Sequence, residues 1–194
     1  MAEFLSVCDV KIAHRQRLAC LLDFNGLEEV HVPADGNCLF ASTLALVKQN
    51  NLQLTSANLR EIVCDHMAEY PEQFEPFISG NYNQKVSEMR KEGHWNTELA
   101  DATPLALANL FQARVMIYSS TPGWPLRTVI PQLTDSTHPH VNKDTFLLYS
   151  YLDIPEFQHY NALLMSQKQQ ENFVPVLNWT EDALGNISHE TVPK

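Results

Sequence analysis

The chain has 194 residues, which suits one domain with a sizeable core. Hydrophobic residues make up 44%, too many for a disordered chain, and no apolar run reaches the roughly 18 residues a membrane span requires. Acidic side chains outnumber basic ones by 23 to 13, a formal charge of −10 that repels phosphate backbones and argues against nucleic acid as a partner.

The four cysteines, Cys8, Cys20, Cys38 and Cys64, are widely spaced, with neither a disulfide framework nor the clustered spacing of a zinc site. Residues Met1 to Phe24 are interrupted by His14-Arg15-Gln16-Arg17 and do not read as a signal peptide. A reducing compartment is therefore expected, in which Cys38 stays a free thiol, and Asn178-Trp179-Thr180 and Asn186-Ile187-Ser188 are read as chance glycosylation matches.

In chain order, Leu5, Cys8, Ile12, Ala19 and Leu22 recur at helical spacing and predict an amphipathic helix that Asn25-Gly26 ends. Leu27 to Val32 reads as a strand, Pro33 to Asn37 as a loop, and Cys38 stands at the first turn of an apolar helix running from Leu39 to Val47. Gln49-Asn50-Asn51 closes that helix. Thr55 or Ser56 caps the next, whose stripe of Leu59, Ile62, Val63 and His66 to Met67 stops before Pro71, with Cys64 a packed thiol on its core side. Tyr70 to Tyr82 reads as a looser connection and Asn83 to Glu92 as a helix with a solvated charge pattern.

Gly93 to Glu98 breaks that helix and offers Asn96 or Thr97 as the cap of another, through Leu99, Leu105, Leu107 and Phe111, with Pro104 a kink or restart. Val115 to Tyr118, Leu126 to Ile130 and Thr145 to Tyr151 are strand candidates, the first two joined by a Pro122-Gly123 turn. His138-Pro139-His140 lies in a polar stretch without a third ligand, so it reads as a solvated loop and no metal is expected. Glu156 to Met165 is a polar loop entering a strand, with His159 at its exposed start. Lys168 to Asn172 is polar, and Trp179 to Lys194 has the low apolar density of a weakly packed tail.

The chemistry concentrates at Cys38. A helix N-terminus carries partial positive charge and unpaired N–H donors, which favour thiolate and can hold an oxyanion. Gly36 and Asn37 tolerate positive φ, so the Asp35-Gly36-Asn37 loop can turn several N–H groups toward the sulfur. Composition alone favours a packed structural cysteine after an ordinary strand-to-helix turn over a catalytic one. A thiol nucleophile needs a base, and eight histidines are available, among which position alone selects none. On a strand, His159 and Asn161 project to one face, where the amide could fix the imidazole tautomer, although a polar residue on a half-exposed strand explains Asn161 as well. Asp35 is the other candidate for a polar third member, or a brace for the loop.

The string Asp35-Gly36-Asn37-Cys38-Leu39-Phe40 closely resembles the nucleophile motif of the OTU (ovarian tumour) family of cysteine peptidases, which remove ubiquitin from proteins. His159-Tyr160-Asn161 is similar to the family's downstream histidine string. Gly93-His94-Trp95-Asn96 matches its tryptophan turn in part, Asn96 standing where a glycine often follows the tryptophan. Papain-like enzymes share the Cys, His, Asn order but not the residues around Cys38.

The resemblance implies a single α/β domain with a central sheet between helices, spanning residues 27–165 between a helical lead-in (1–26) and a polar extension (166–194). It implies Cys38 as nucleophile, His159 as base, Asn161 or Asp35 as third member, and an oxyanion hole from the backbone of Asp35, Gly36, Asn37 and Cys38. His94, Trp95 and Tyr160 are the candidate substrate contacts, though Trp95 suits the core equally. The implied function is thiol-dependent hydrolysis of ubiquitin conjugates by a monomer without cofactor or metal, in the cytoplasm or, for a pathogen effector, a host cytosol. A silent ubiquitin-binding module, or a peptidase for another modifier or a polyprotein, would show the same motifs.

Overall fold

The computed structural model describes residues 7–49, 54–95, 97–132, 146–154, 157–166 and 178–179. Helix α1 (Val7–Phe24) ends at Gly26, whose φ of 61° is a left-handed conformation that Cβ opposes. Strand β1 (Leu27–Val30) leads through the Pro33–Asn37 loop into α2 (Cys38–Leu46) and β2 (Lys48–Gln49). Helix α3 (Ser56–Glu69) starts from a capping box: Thr55 Oγ1 accepts from the Asn58 N–H, and Asn58 Oδ1 accepts from the Thr55 N–H, both at 3.2 Å. Then come α4 (Pro71–Phe74), a 3-10 turn (Glu75–Phe77), α5 (Tyr82–Met89) and α6 (Thr97–Phe111), followed by β3 (Arg114–Ser119), β4 (Leu126–Val129), β5 (Phe146–Leu152), β6 (His159–Met165) and β7 (Asn178–Trp179).

The main sheet has strand order β1-β6-β5-β3-β4, with β3 and β5 parallel and every other neighbour antiparallel. Central β5 is buried continuously from Leu147 to Tyr151, whereas edge strand β4 alternates between exposed and half-buried residues, as expected for strands covered on two faces and on one. Leu18 and Leu22 of α1 pack on one face against Leu27, Tyr118, Leu148 and Leu163. On the other face Phe40, Leu59, Val63, Leu107 and Tyr149 form the main core. The sheet lies between helices, as the sequence implies, and α1 is packed onto it despite preceding the stretch that carries the motifs.

Several local expectations change. The connection after α3 contains α4, because Pro71, which cannot continue a helix, is well suited to begin one: it lacks only an N–H that the first turn leaves unpaired. Pro104 does not restart α6. The helix runs through from Thr97 to Phe111, with Thr103 Oγ1 donating to the Leu99 carbonyl at 2.8 Å one residue before the proline. The charged segment at Asn83 to Glu92 falls largely within α5, which buries Tyr82, Val86 and Met89 along one side. Lys48–Gln49 pairs in parallel with Asn178–Trp179, so Gln49 and Trp179 belong to a small second sheet rather than to a turn and a loose tail. Asn96, His138-Pro139-His140, Lys168 to Asn172 and residues 180–194 lie outside the described residues. No helix among the described residues is long and apolar enough to cross a membrane.

Candidate active site

Loop 33–37 is built around Gly36, whose φ is +80°; a Cβ there would lie 2.1 Å from the Gly93 carbonyl oxygen. Only glycine allows the two loops to approach this closely. Asp35 Oδ1 accepts from the Asn37 N–H at 2.9 Å, an Asx turn that tightens the loop. Asn37 stands at the N-cap of α2 but makes no side-chain cap hydrogen bond. Its Oδ1 is drawn away by Arg60 Nη2 at 2.7 Å, so the first-turn N–H groups of α2 are not taken by the usual capping side chain.

Arg60 itself is fully buried. Its Nη2 also donates to the Gly36 carbonyl at 2.6 Å, and its Nη1 donates to the Met89 and His94 carbonyls at 2.7 and 2.6 Å. The guanidinium lies over the Phe40 ring, 4.6 Å from its centroid. One side chain of α3 therefore joins the loop before Cys38 to the turn before α6.

Cys38 is the first residue of α2 and is buried. Burial pushes its thiol above the ordinary cysteine range, opposed by the backbone amides of Tyr160, Leu39 and Cys38. Ser42 Oγ, one turn on, donates to the Tyr160 carbonyl at 3.3 Å and ties α2 to β6.

His159 opens β6. Its Nε2 lies 3.0 Å from Asn161 Oδ1, and its Nδ1 is buried without a hydrogen-bond partner. Asn161 Oδ1 also accepts from the Val32 N–H at 3.1 Å, and its Nδ2 donates to Glu29 Oε1 at 3.2 Å. An amide oxygen can only accept, so Nε2 carries the imidazole hydrogen and the lone pair is left on Nδ1.

Glu29, Gly36, Cys38, Trp95, His159 and Asn161 line one cavity of about 770 Å³. Lys11 and Arg15 of α1 contribute to its wall, Lys11 with its ammonium 4.3 Å from the Phe157 ring centroid. Cys38, His159, Asn161, Gly36 and Trp95 are thus brought together on this cavity. Others are placed differently. The partner of the imidazole is Asn161, while the Asp35 carboxylate braces the loop through Asn37, whose N–H is thereby engaged and withdrawn from the expected oxyanion donors. Tyr160, expected at the substrate, faces the opposite side of β6, because neighbouring strand residues alternate: it is buried against Tyr151, Tyr149 and Trp95. The His94 side chain is exposed outside the cavity lining, and its carbonyl serves Arg60. Among the described residues, no group of three His, Cys, Asp or Glu side chains is arranged to hold a metal ion.

Arg60 and Glu29 were not singled out by the sequence. For Arg60 a signal existed: it heads the series Arg60, Val63, Cys64, Met67, a charge at the start of an i, i+3, i+4, i+7 buried stripe. Glu29 carries no such mark.

A thiol at a helix N-terminus and an amide-held imidazole on one cavity, within an α/β frame, place the chain in the class of cysteine hydrolases. The family model described as OTU-like cysteine protease matches residues 33–160, and the chain belongs to that family. It is 32% identical over 120 residues to the ubiquitin thioesterase otu2 of Schizosaccharomyces pombe, covering 58% of this chain and 39% of that protein. It is 24% identical over 177 residues to the deubiquitinase OTUD6B of Xenopus laevis, covering 88% of this chain and 58% of that protein. The chain thus spans less than two thirds of either relative's length. The solved OTU domain of OTUD1 superposes with a TM-score of 0.56 at 21% identity, covering 80% of this chain and 97% of that domain, a likeness of fold.

Proposed function

We propose that the chain is a thiol-dependent deubiquitinase that hydrolyses the bond between the C-terminus of ubiquitin and a lysine amine. The observation that carries this reading is the orientation of His159: its Nε2–H is held by Asn161, its Nδ1 is buried without a hydrogen-bond partner, and His159 lines the same cavity as Cys38. The names of the yeast and frog relatives support ubiquitin as the substrate.

In the proposed reaction, Nδ1 removes the Cys38 proton as the sulfur attacks the carbonyl carbon of ubiquitin's terminal glycine, and the carbonyl electrons move to oxygen. The α2 N-terminus and the loop amides other than that of Asn37 face this oxyanion. Collapse of the adduct expels the lysine amine, which takes the proton from Nδ1–H and leaves a thioester on Cys38. Water, deprotonated by Nδ1, then attacks the thioester, releasing ubiquitin's carboxylate and returning the proton to sulfur. The burial-raised thiol fits proton removal during attack rather than a standing thiolate.

Residues 27–165 form the catalytic unit, acting as a monomer in the cytoplasm or another reducing compartment, where the four cysteines stay unpaired as in this structure. Hydrolysis of a ubiquitin C-terminal fluorophore amide tests the proposal. The parent protein should release fluorophore and Cys38→Ala should not; a folded parent protein without turnover would refute it.

A further inference from the structure

We infer that Glu29 is a positioning residue for the His159–Asn161 pair, holding the Asn161 amide in the orientation that keeps His159 a base; the inference rests on the peptidase reading above. Asn161 is anchored at both ends of its amide: Oδ1 by the Val32 N–H and Nδ2 by Glu29 Oε1. The buried Ser150 hydroxyl donates to the same Glu29 oxygen. A backbone N–H only donates and a carboxylate oxygen only accepts, so neither anchor can serve a flipped amide.

The consequence of a flip falls on His159. With Nδ2 turned toward the ring, Nε2 would have to accept, and the imidazole hydrogen would move to Nδ1. That nitrogen could no longer take the Cys38 proton. Glu29 therefore acts on the tautomer through Asn161, without contact to the reacting atoms.

The sheet explains how three side chains meet. Antiparallel pairing sets Glu29 opposite Leu163, two residues along β6 from Asn161, and sets Ser150 of β5 directly opposite Asn161. Side chains at such positions share a face across adjacent strands. Glu29 is partly buried and forms no ion pair among the described residues. Its side-chain hydrogen bonds, to Ser150 and Asn161, both belong to this relay.

The test compares the parent protein with E29A, N161A and the double variant by long-range ¹H–¹⁵N NMR of the histidine rings, with His159 assigned by the loss of its signals in H159A. Steady-state kinetics on the ubiquitin fluorophore amide accompany it. The parent should show the Nε2–H tautomer alone. E29A should show a mixture, with kcat reduced roughly tenfold, the worth of one hydrogen bond, and KM unchanged. In the N161A background E29A should cost less than about twofold, since the residue it acts through is gone. A pure Nε2–H tautomer in E29A, or losses that multiply in the double variant, would overturn the inference. Should E29A fail to fold, E29Q decides: glutamine can donate as well as accept, so a mixed tautomer supports the lock and a pure Nε2–H tautomer refutes it. The NMR readout needs no ubiquitin, so a parent protein that lacks ubiquitin hydrolysis sinks the proposed function while the tautomer result still decides on Glu29.

Discussion

Replacing Arg60 by lysine tests whether the guanidinium fork assembles the loops around Cys38. Arg60 serves four oxygens, those of Gly36 and Asn37 from one nitrogen and those of Met89 and His94 from the other, the Asn37 and Met89 contacts buried and the Gly36 and His94 contacts partly buried. Lysine has a single nitrogen and can occupy one side of the fork, so two acceptors lose their donor. Each buried acceptor left unpaired costs about 1–3 kcal/mol, and the Phe40 contact adds under about 1 kcal/mol. Allowing for partial relaxation, the expected loss is about 3 kcal/mol, a large share of the roughly 5–15 kcal/mol available to a domain. Urea unfolding should show a lower midpoint at unchanged slope, with reduced ubiquitin hydrolysis by the protein that remains folded. A loss below about 1 kcal/mol with full activity would refute the account, because it would mean that the four contacts do not depend on the fork.

Gly36→Ala places Cβ against the Gly93 carbonyl at a φ of +80°; urea unfolding should register a loss of at least about 2 kcal/mol, and kcat should fall, since the loop has to move. Because burial pushes the Cys38 thiol up, its alkylation by iodoacetamide, read by peptide mapping, should climb steadily with pH on the alkaline side. A rate already at its plateau near neutrality would reveal a standing ion pair instead. His66 is buried against Tyr70 and Phe74, and burial lowers its pKa from 6.5 to about 4. The unfolded chain therefore binds a proton before the native state does, and stability present above the unfolded value declines as pH falls toward 4, by at most about 3 kcal/mol. His66→Gln should flatten that part of the stability profile relative to the parent, and an unchanged slope in urea titrations would contradict the assignment.

What the sequence made legible is local. The loop before Cys38, the spacing of His159 and Asn161 on a strand and the succession of helices and strands each follow from residues within a few positions of one another. Tyr160 was misplaced although the same alternation that groups His159 with Asn161 turns its ring into the core. Glu29 and the β2–β7 pair depend on which strands become neighbours, and that is fixed by packing across the whole sheet rather than by any pattern in the segments themselves. Pro104 shows tertiary context overriding a local rule: the residues around it are buried in the core, so the helix persists without one of its hydrogen bonds. Arg60 falls between these cases, marked by its place on a buried stripe but with partners in two distant loops.

The central claim is that Cys38 is an accessible nucleophile aligned with the tail of ubiquitin. Intact-mass analysis after mixing the protein with ubiquitin bearing a thiol-reactive C-terminal warhead tests it most directly. One added ubiquitin on the parent protein and none on Cys38→Ala is the predicted result. A folded parent protein that gains no mass, or a Cys38→Ala variant that gains as much as the parent, would contradict it.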